Sequence, residues 1–297
     1  MSEAGRLANL WARATEAAPF SYSVSPDAFA SGLIANPDDD ESFASSRDHQ
    51  LVVAVDGVDP LGFAQLNVGT DVEVDGEDIV CGVIRFLAFL PERQDAGQLL
   101  LETSHQYFLS LGLEHIDAFP LYHGYAFHNY KVGTLSDRLR HITDLLTRNG
   151  YQPHDAHLTF DRDLEMTKLP PPHPDIDVDV DVVKNAGEGP FPDIRVKAMV
   201  DGVQKGVCRS MTGWRYAAHE PLDRCCYTRG LQVQEPFRRR GIGRYLLRRA
   251  RYEMQAEGYT HTRLNCRENN PNALALYRSE GYRLGDRSCA YVKDLGA

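Results

Sequence analysis

The two halves of the sequence end on the same pattern. The segment from Gly150-Tyr151 to Asp163-Leu164 spans 15 residues, and so does the segment from Gly281-Tyr282 to Asp294-Leu295. Each begins with a glycine and an aromatic residue at the end of a predicted helix, and each closes on Asp-Leu. Both halves also share the predicted order strands, helix, strand, helix, strand. A diverged internal duplication therefore limits the chain to two copies of one α/β unit.

A proline-rich segment separates the two copies. Four of the five residues from Pro170 to Pro174 are proline, which favours a stiff, extended linker without helix or internal sheet strand. A length of 297 residues also suits two domains of ordinary size. We therefore predict an N-terminal domain over residues 1–168, a linker over 169–174 and a C-terminal domain over 175–297.

The two copies differ in charge. Residues 1–170 hold 26 acidic and 11 basic side chains, a balance of −15, and residues 171–297 hold 16 and 21, a balance of +5. Together these give the net charge of −10. The basic half could hold a polyanion, either nucleic acid or a phosphorylated cofactor, although two solvated surfaces would give the same charges.

Composition excludes several classes of protein. The 42% hydrophobic and 25% charged residues are ordinary for a soluble globular protein, and no apolar run approaches the roughly 18 residues of a membrane span. Residues 1–20 carry four charges, so we expect no signal peptide. The cysteine and histidine spacings match no standard metal site, so we predict no metal. The thiols fit a reducing cytoplasm.

A glycine- and arginine-rich loop follows a predicted strand in the second half. The loop reads Glu-Pro-Phe-Arg-Arg-Arg-Gly-Ile-Gly-Arg over residues 235–244, between a strand at Cys225–Gln234 and a helix at Gly243–Glu257. Its two glycines let the backbone turn tightly and approach a ligand. The helix start adds free N–H groups and a positive dipole end, so an anion such as a pyrophosphate fits here. The dinucleotide fingerprint and the Gly-Lys-Ser/Thr triphosphate loop are both absent.

Two motifs in this half resemble those of one enzyme family. Residues 238–243 read Arg-Arg-Arg-Gly-Ile-Gly, which resembles the Arg/Gln-x-x-Gly-x-Gly/Ala signature of the GNAT superfamily of N-acetyltransferases. Residues 270–282 read Asn-Pro-Asn-Ala-Leu-Ala-Leu-Tyr-Arg-Ser-Glu-Gly-Tyr and resemble the family's second motif, Asn-x-x-Ala-x-x-Leu-Tyr-x-x-x-Gly-Phe. The resemblance implies an α/β (α+β) fold. We expect two tandem GNAT-like domains, each with a mixed, mostly antiparallel central sheet flanked by helices.

The resemblance also implies roles for single residues. Tyr277 would act as the catalytic acid that protonates the departing thiolate, although a tyrosine that only packs on the sheet is the alternative. A phenol pKa of about 10 suits a donor to a thiolate whose parent thiol has a pKa of about 8.5. A backbone N–H of the strand would polarise the thioester carbonyl. The implied contacts to coenzyme A are Leu231, Val233, Arg238, Arg239, Arg240, Gly241, Ile242, Gly243, Arg244 and Asn270.

The general base is not identified by the sequence. Strict alternation along the strand places Tyr227, Arg229, Leu231 and Val233 on one face, and none of these is a base at neutral pH. His219, Glu220 and Asp223 precede the strand and could serve directly or through water, whereas Glu235 could orient a water or cap the helix.

Two further features concern the walls of the site. Only ten residues separate Val183 from Ile194, so the two helices that the family has there do not fit, and the acceptor side must be open or walled by something else. The corresponding loop of the first half, Pro91–Gln98, has one glycine, two acidic residues and a single arginine. We therefore predict a degenerate first domain. Its loop Leu121–Val132 is rich in aromatic residues and is either a lid or a packed surface loop.

We therefore predict an acetyltransferase that uses acetyl-CoA, without a metal, to acetylate the primary amine of a small molecule in a ternary complex. It would be a cytoplasmic monomer or homodimer without nucleic-acid or membrane partners. A non-catalytic acyl-CoA-binding regulator and an acetyltransferase for protein amines remain alternatives. A nucleic-acid-binding module is disfavoured by the modest +5 balance and by the absence of aromatic stacking residues beside the arginines.

Overall fold

The computed structural model describes residues 2–34, 46–74, 77–164, 168–183, 189–217 and 222–296. The chain divides into two compact units. Unit 1 comprises Met1–His157 with Asp286–Ala297, and unit 2 comprises Leu158–Gly285. Each unit combines helices with a mostly antiparallel sheet, which confirms the predicted fold class. No helix among the described residues is long and apolar enough to cross a membrane.

Unit 1 begins with two helices and continues with a three-stranded meander. Strands β1, β2 and β3 pair antiparallel in sequence order, and β4 adds to β3 in parallel. The elements are α1 (Glu3–Ala14), α2 (Pro26–Ile34), β1 (Arg47–Asp56), β2 (Asp59–Val74), β3 (Glu77–Phe89), α3 (Gln94–Ser110), β4 (His115–Ala118), β5 (Leu135–Ser136), α4 (Arg140–Arg148) and the start of β6 (Gln152–Asp163).

Unit 2 repeats this plan without the two leading helices. Its strands β7 to β10 pair antiparallel in sequence order, and β11 adds to β10 in parallel. The elements are the end of β6, β7 (Asp177–Val183), β8 (Asp193–Val200), β9 (Val203–Thr212), β10 (Cys225–Val233), α5 (Ile242–Ala256), β11 (His261–Arg267), α6 (Pro271–Ser279) and the start of β12 (Arg283–Asp294).

The repeated segment noted in the sequence forms two strands of equal length, β6 and β12, each 12 residues long. Neither strand stays in the unit in which it begins. Tyr291–Asp294 of β12 pair with His115–Ala118 inside unit 1. In unit 2, the Asn265 amide donates to the Thr159 hydroxyl of β6 at 2.9 Å. The compact units therefore differ from the boundary predicted from the sequence, and the division into domains over residues 1–168 and 175–297 stays a prediction.

The aromatic loop of the first half packs into the core of unit 1. Tyr125 and Phe127 are nearly fully buried, with their rings 5.4 and 5.2 Å from that of Trp11. Trp11 lies on the apolar face of α1, which is formed by leucine and alanine at helical spacing. Of the two readings that the sequence left open, the packed loop is therefore the one observed.

Both units carry the same irregularity beside the parallel strand pair. In unit 1 the last parallel pair is Ile84 with Ala118, and the β2–β3 register shifts at the next residue, Arg85. In unit 2 the last parallel pair is Thr228 with Leu264, and the β9–β10 register shifts at Arg229. An identical bulge at equivalent arginines supports the internal duplication, because bulges are specific features of a fold.

Candidate functional site

The site of unit 2 lies where β10 and β11 part. Their parallel pairing covers only Cys225–Thr228 against His261–Leu264, although β10 continues to Val233 beside β9. From Gly230 onward the other edge of β10 therefore has no strand partner among the described residues. A Cβ added at Gly230 would meet no atom within 4 Å, so the backbone is open to a ligand at this position.

The bulge corrects one expectation about β10. Strict alternation predicted that Tyr227 and Leu231 share a face. Instead, Tyr227 stands opposite Met211 and Leu231 opposite Cys208, so the register shift at Arg229 puts the two side chains on opposite faces. Leu231 packs against the unit 2 core beneath the helices, whereas the buried Tyr227 ring contacts that of Tyr216 at 5.5 Å.

The loop after β10 ends in an array of unsatisfied backbone donors. Arg239 and Gly241 have left-handed backbones, with φ of 66° and 82°, and Gly241 is the N-cap of α5 without a side-chain cap. The first backbone bond at this helix start runs from the Tyr245 N–H to the Gly241 carbonyl at 3.0 Å. Within the described residues, the six N–H groups of Arg239–Arg244 donate to no acceptor. These donors and the helix dipole favour an anion.

The arginine side chains of this loop are held by neighbouring groups. Arg238 Nε donates to the Val233 carbonyl at 2.9 Å, which folds the loop back on its strand. Arg239 Nη1 donates to Asn272 Oδ1 at 2.6 Å, which holds the loop beside the start of α6. Arg240 forms an ion pair with Asp175 at 3.1 Å. The loop is therefore fixed from three directions, while its backbone N–H groups stay open.

A histidine of the predicted linker also supports the loop. His173 Nδ1 accepts from the Asp175 N–H at 3.2 Å, so Nε2 carries the proton and donates to the Arg240 carbonyl at 3.0 Å. The His173 ring also packs edge-on against Tyr245 at 5.7 Å. No local pattern predicts this contact, because 67 residues separate His173 from Arg240.

A buried carboxylate joins α5 to the end of α6. The Glu280 side chain is 2% exposed and accepts from Arg244, Arg248 and Arg251 at 2.8–3.1 Å. Burial alone would raise the pKa of Glu280, but the hydrogen bonds and charges of Arg248 and Arg251 outweigh it and lower the pKa. Because Glu280 follows Tyr277 by three residues, this cluster holds the helix end that carries Tyr277 against the start of α5.

Tyr277 faces the core beneath the opening. Its side chain is largely buried, and its ring lies 6.1 Å from that of Phe160 and 5.9 Å from that of Tyr282. The Tyr277 hydroxyl makes no hydrogen bond within the described part of the chain. Burial is the largest cause that raises the pKa of the Tyr277 phenol, and Cys266 and Cys208 raise it further. The phenol therefore stays protonated well above neutral pH.

The thiols near the site are poor nucleophiles. Burial raises the pKa of Cys266 to about 11 and that of Cys208 to about 12. Because the thiolate is the reactive form, both side chains stay inert at neutral pH.

Other residues named from the sequence have specific surroundings. Asn270 Oδ1 caps α6 by accepting from the Ala273 N–H at 3.1 Å, which leaves the Asn270 amide nitrogen for a ligand. Ile242 is buried in the core, so that only its backbone N–H faces the loop side. Gly243 has no positive φ and its added Cβ would meet Val233 at an ordinary 3.8 Å.

The general-base candidates named from the sequence lie before and after β10 in the chain. His219 and Glu220 lie outside the described residues, and so does the side chain of Asp223. Glu235 begins a short 3-10 helix at the end of β10 and is exposed. Neither this short helix nor α5 has a side-chain cap among the described residues, so the helix-capping role considered from the sequence is not observed, and the water-orienting role stays a prediction.

The equivalent loop of unit 1 lacks the anion site. Only four residues, Leu90–Arg93, join β3 to α3, whereas eight, Gln234–Gly241, join β10 to α5. No residue of the shorter connection has a left-handed backbone. Its N-cap, Arg93, pairs with Asp95 at 2.8 Å and so brings an acidic group to the helix start.

The equivalent cleft of unit 1 is filled. Phe86 stands at the bulge where unit 2 has Gly230, and its ring packs 4.6 Å from that of Trp11. The helix-end bond from the Tyr151 N–H to the Leu146 carbonyl, at 3.1 Å, matches that from Tyr282 to Tyr277 in unit 2. Leu146 therefore occupies the position of Tyr277, and unit 1 has no phenol there.

Comparison with known proteins agrees with this geometry. Residues 162–282 match the sequence profile of the acetyltransferase (GNAT) family. No curated protein matches the chain.

Solved structures with the same fold cover both units. One is a tandem GNAT protein from the clavulanic acid biosynthesis pathway, with a TM-score of 0.69, 14% identity and coverage of 99% of this chain and 95% of that chain. Another is a GCN5-related N-acetyltransferase from Sphaerobacter thermophilus, with a TM-score of 0.64, 13% identity and coverage of 99% and 93%. At this identity the likeness shows the fold, including its tandem layout.

The fold is that of tandem GNAT proteins, with two α/β units in one chain. The chain contains a domain of the acetyltransferase (GNAT) family, which spans residues 162–282.

Proposed function

We propose that this chain transfers an acetyl group from acetyl-CoA to the primary amine of a small molecule, and that the active site lies in unit 2. The observation that carries the proposal is the presence, in one unit, of the parted strands β10 and β11, the six open N–H groups of Arg239–Arg244 and the buried phenol of Tyr277. Unit 1 lacks the second and the third of these; its strands β3 and β4 also part, after Ile84 and Ala118, but Phe86 fills that opening.

The loop fits the pyrophosphate of coenzyme A. Six backbone donors at a helix start suit a polyanion, and each charge-assisted hydrogen bond contributes about 1.5–3 kcal/mol. Arg239 and Arg244 flank these donors and add positive charge. The pantetheine arm would then follow the open edge of β10 near Leu231 and Val233, where backbone groups lack a strand partner.

Acetyl-CoA supplies a thioester whose carbonyl carbon is attacked by the acceptor nitrogen. The new C–N bond forms, the C–S bond breaks, and the Tyr277 phenol gives its proton to the thiolate sulfur. The proton that the neutral acceptor amine loses returns to Tyr277 through water, so the enzyme neither gains nor loses a proton. An acceptor that arrives as an ammonium ion first gives one proton to the solvent. A backbone N–H at the open edge of β10 would donate to the developing oxyanion.

Direct attack is favoured over a covalent enzyme intermediate. The raised pKa values of Cys208 and Cys266 keep both thiols protonated, and a thiol is a weak nucleophile. We further propose that unit 1 binds no coenzyme A, because its loop is short and its cleft is filled by Phe86.

We further propose a cellular location and an oligomeric state. Five of the six free cysteines are buried and Cys266 is half-buried, which suits a reducing compartment, and the proposed location is the cytoplasm. The protein would act as a monomer or homodimer, without nucleic acid or membrane as a partner.

The proposal is tested by thiol release from acetyl-CoA with a panel of amines, together with calorimetric titration of coenzyme A. Binding and turnover with small amines are expected. Binding without turnover on any amine would favour the regulator, and turnover only with peptide amines would favour a protein acceptor. Absence of both binding and turnover would refute the proposal.

A further inference from the structure

Two arginines stand directly opposite each other on the sheet of unit 2. Arg195 of β8 pairs in register with Arg209 of β9. Their chain neighbours Val196 and Cys208 are fully buried in the core beneath α5 and α6, whereas both arginines are exposed. Because side chains alternate along a strand, the two guanidinium groups project from the sheet face opposite those helices.

This arrangement costs stability, and none of the described residues neutralises it. Like charges directly opposite on neighbouring strands repel each other. Neither Arg195 nor Arg209 has an ion pair or side-chain hydrogen bond in the part of the chain that the structure describes. Asp181 stands opposite Arg195 on β7, but it pairs with Lys197 at 2.7 Å. Lys197 also contacts Asp179 at 3.2 Å, so the neighbouring cation on this face is fully compensated.

The arginine pair lies beside the point where the strands part. Arg209 stands directly opposite Gly230 across the β9–β10 pairing, and Gly230 follows the bulge at Arg229. Neighbouring strands are about 4.8 Å apart, so the Arg209 backbone lies about 5 Å and the Arg195 backbone about 10 Å from Gly230. An acceptor that reaches the opening from this face therefore passes the pair.

We propose that the acceptor amine carries an anionic group, a carboxylate or a phosphate, which Arg195 and Arg209 bind together. This inference rests on the proposed function and specifies its substrate class. Two guanidinium groups present ten N–H donors, and their forks match the oxygens of either anion. A bound anion removes the repulsion between the two arginines. The relief of this repulsion adds to the affinity for an acceptor that carries the anion.

The first experiment compares amines that differ only in this anion. Thiol release from acetyl-CoA is measured with three pairs of amines. 4-Aminobutanoate and 6-aminohexanoate are each compared with the corresponding amide, and phosphoethanolamine is compared with ethanolamine. At least one anionic amine is expected to exceed its partner without the anion about tenfold in kcat/KM. Comparison of the rates with the two carboxylates and with the phosphate shows which kind of anion is preferred. Comparison of the two carboxylates of different chain length shows the preferred distance between the anion and the amine.

The second experiment changes the pair itself. Arg195→Gln and Arg209→Gln should each raise KM for the anionic amine about tenfold. The kcat, the KM for acetyl-CoA and the rates with amines that lack the anion should stay unchanged. The Tm should not fall, because each change relieves the like-charge contact. Arg47→Gln, at an exposed arginine of β1 in unit 1, is the matched control and should change none of these values.

The outcomes separate this inference from the proposed function. The anion inference is wrong, while the acetyltransferase proposal stands, in either of two cases. In the first, amines react without preference for an anion. In the second, the variants lose as much rate with amines that lack the anion as with anionic amines. If coenzyme A binds but no amine reacts, the same amines are titrated into the coenzyme A complex. Binding of an anionic amine that the double variant abolishes supports the inference, and equal or no binding of both partners refutes it.

Discussion

Replacement of Tyr277 by phenylalanine tests the proton donor with little disturbance of the fold. The change removes one oxygen from a ring that packs against Phe160 and Tyr282. Since the Tyr277 hydroxyl has no hydrogen-bond partner among the described residues, its loss leaves no group unsatisfied. We expect the free energy of unfolding to change by less than about 1 kcal/mol, or to rise.

The expected loss of activity is much larger. A positioned proton donor contributes about 10²–10⁴-fold, so kcat should fall about 100-fold or more in Tyr277→Phe while the affinity for coenzyme A stays the same. Tyr282→Phe is the matched control, because it removes a buried tyrosine hydroxyl that has no hydrogen-bond partner in the described chain. That variant should keep its kcat.

The assay is steady-state thiol release at saturating acetyl-CoA, with calorimetric binding of coenzyme A and thermal unfolding measured on the same samples. The pH profile is a further check: burial raises the pKa of Tyr277, so the acid form persists and the rate should not fall between pH 8 and about 10 through its ionisation. A Tyr277→Phe variant within about threefold of the unchanged protein in kcat would refute the role of this phenol.

Two further predictions concern stability and pH. Glu280→Gln should destabilise the protein by about 2 kcal/mol at neutral pH, since it removes the charge that Arg251 and the half-exposed Arg248 face. The pKa of Glu280 is lowered in the fold, so this difference should vanish as pH falls below 4 through that lowered pKa, as followed by urea unfolding. Burial raises the pKa of Asp286 to about 6, so its protonated form stabilises the fold below pH 4 and this contribution is lost as pH rises through 6. Asp286→Asn should therefore raise stability by about 2 kcal/mol at pH 8 and by almost nothing at pH 4, and an equal effect at both values would contradict the assignment.

The fold and its family were predictable because the signals are local and repeated. The Gly-Tyr helix ends at residues 150–151 and 281–282 marked the duplication, and the glycine-arginine loop marked the helix start with open donors. The weakness of the first copy was also visible in the acidic loop around Asp95. Each of these features depends on residues that are neighbours in sequence.

The rest depends on residues that are distant in sequence. Alternation failed at Arg229 because a bulge inserts one residue, and no local pattern announces it. His173 reaches the loop from the linker, and β12 completes the sheet of unit 1. The pairing of Arg195 with Arg209 depends on the register of β8 and β9, which an irregularity between Ala198 and Met199 shifts by one residue.

The central claim is that one unit alone binds coenzyme A, through the backbone of its loop. The most direct measurement is amide hydrogen exchange of the intact protein with and without acetyl-CoA. The six N–H groups of Arg239–Arg244 have no acceptor among the described residues, so they should exchange fast when free and become protected in the complex. The helix start of unit 1 at Leu90–Gly97 should not change. Protection at residues 90–97, or none at 239–244, would contradict the account.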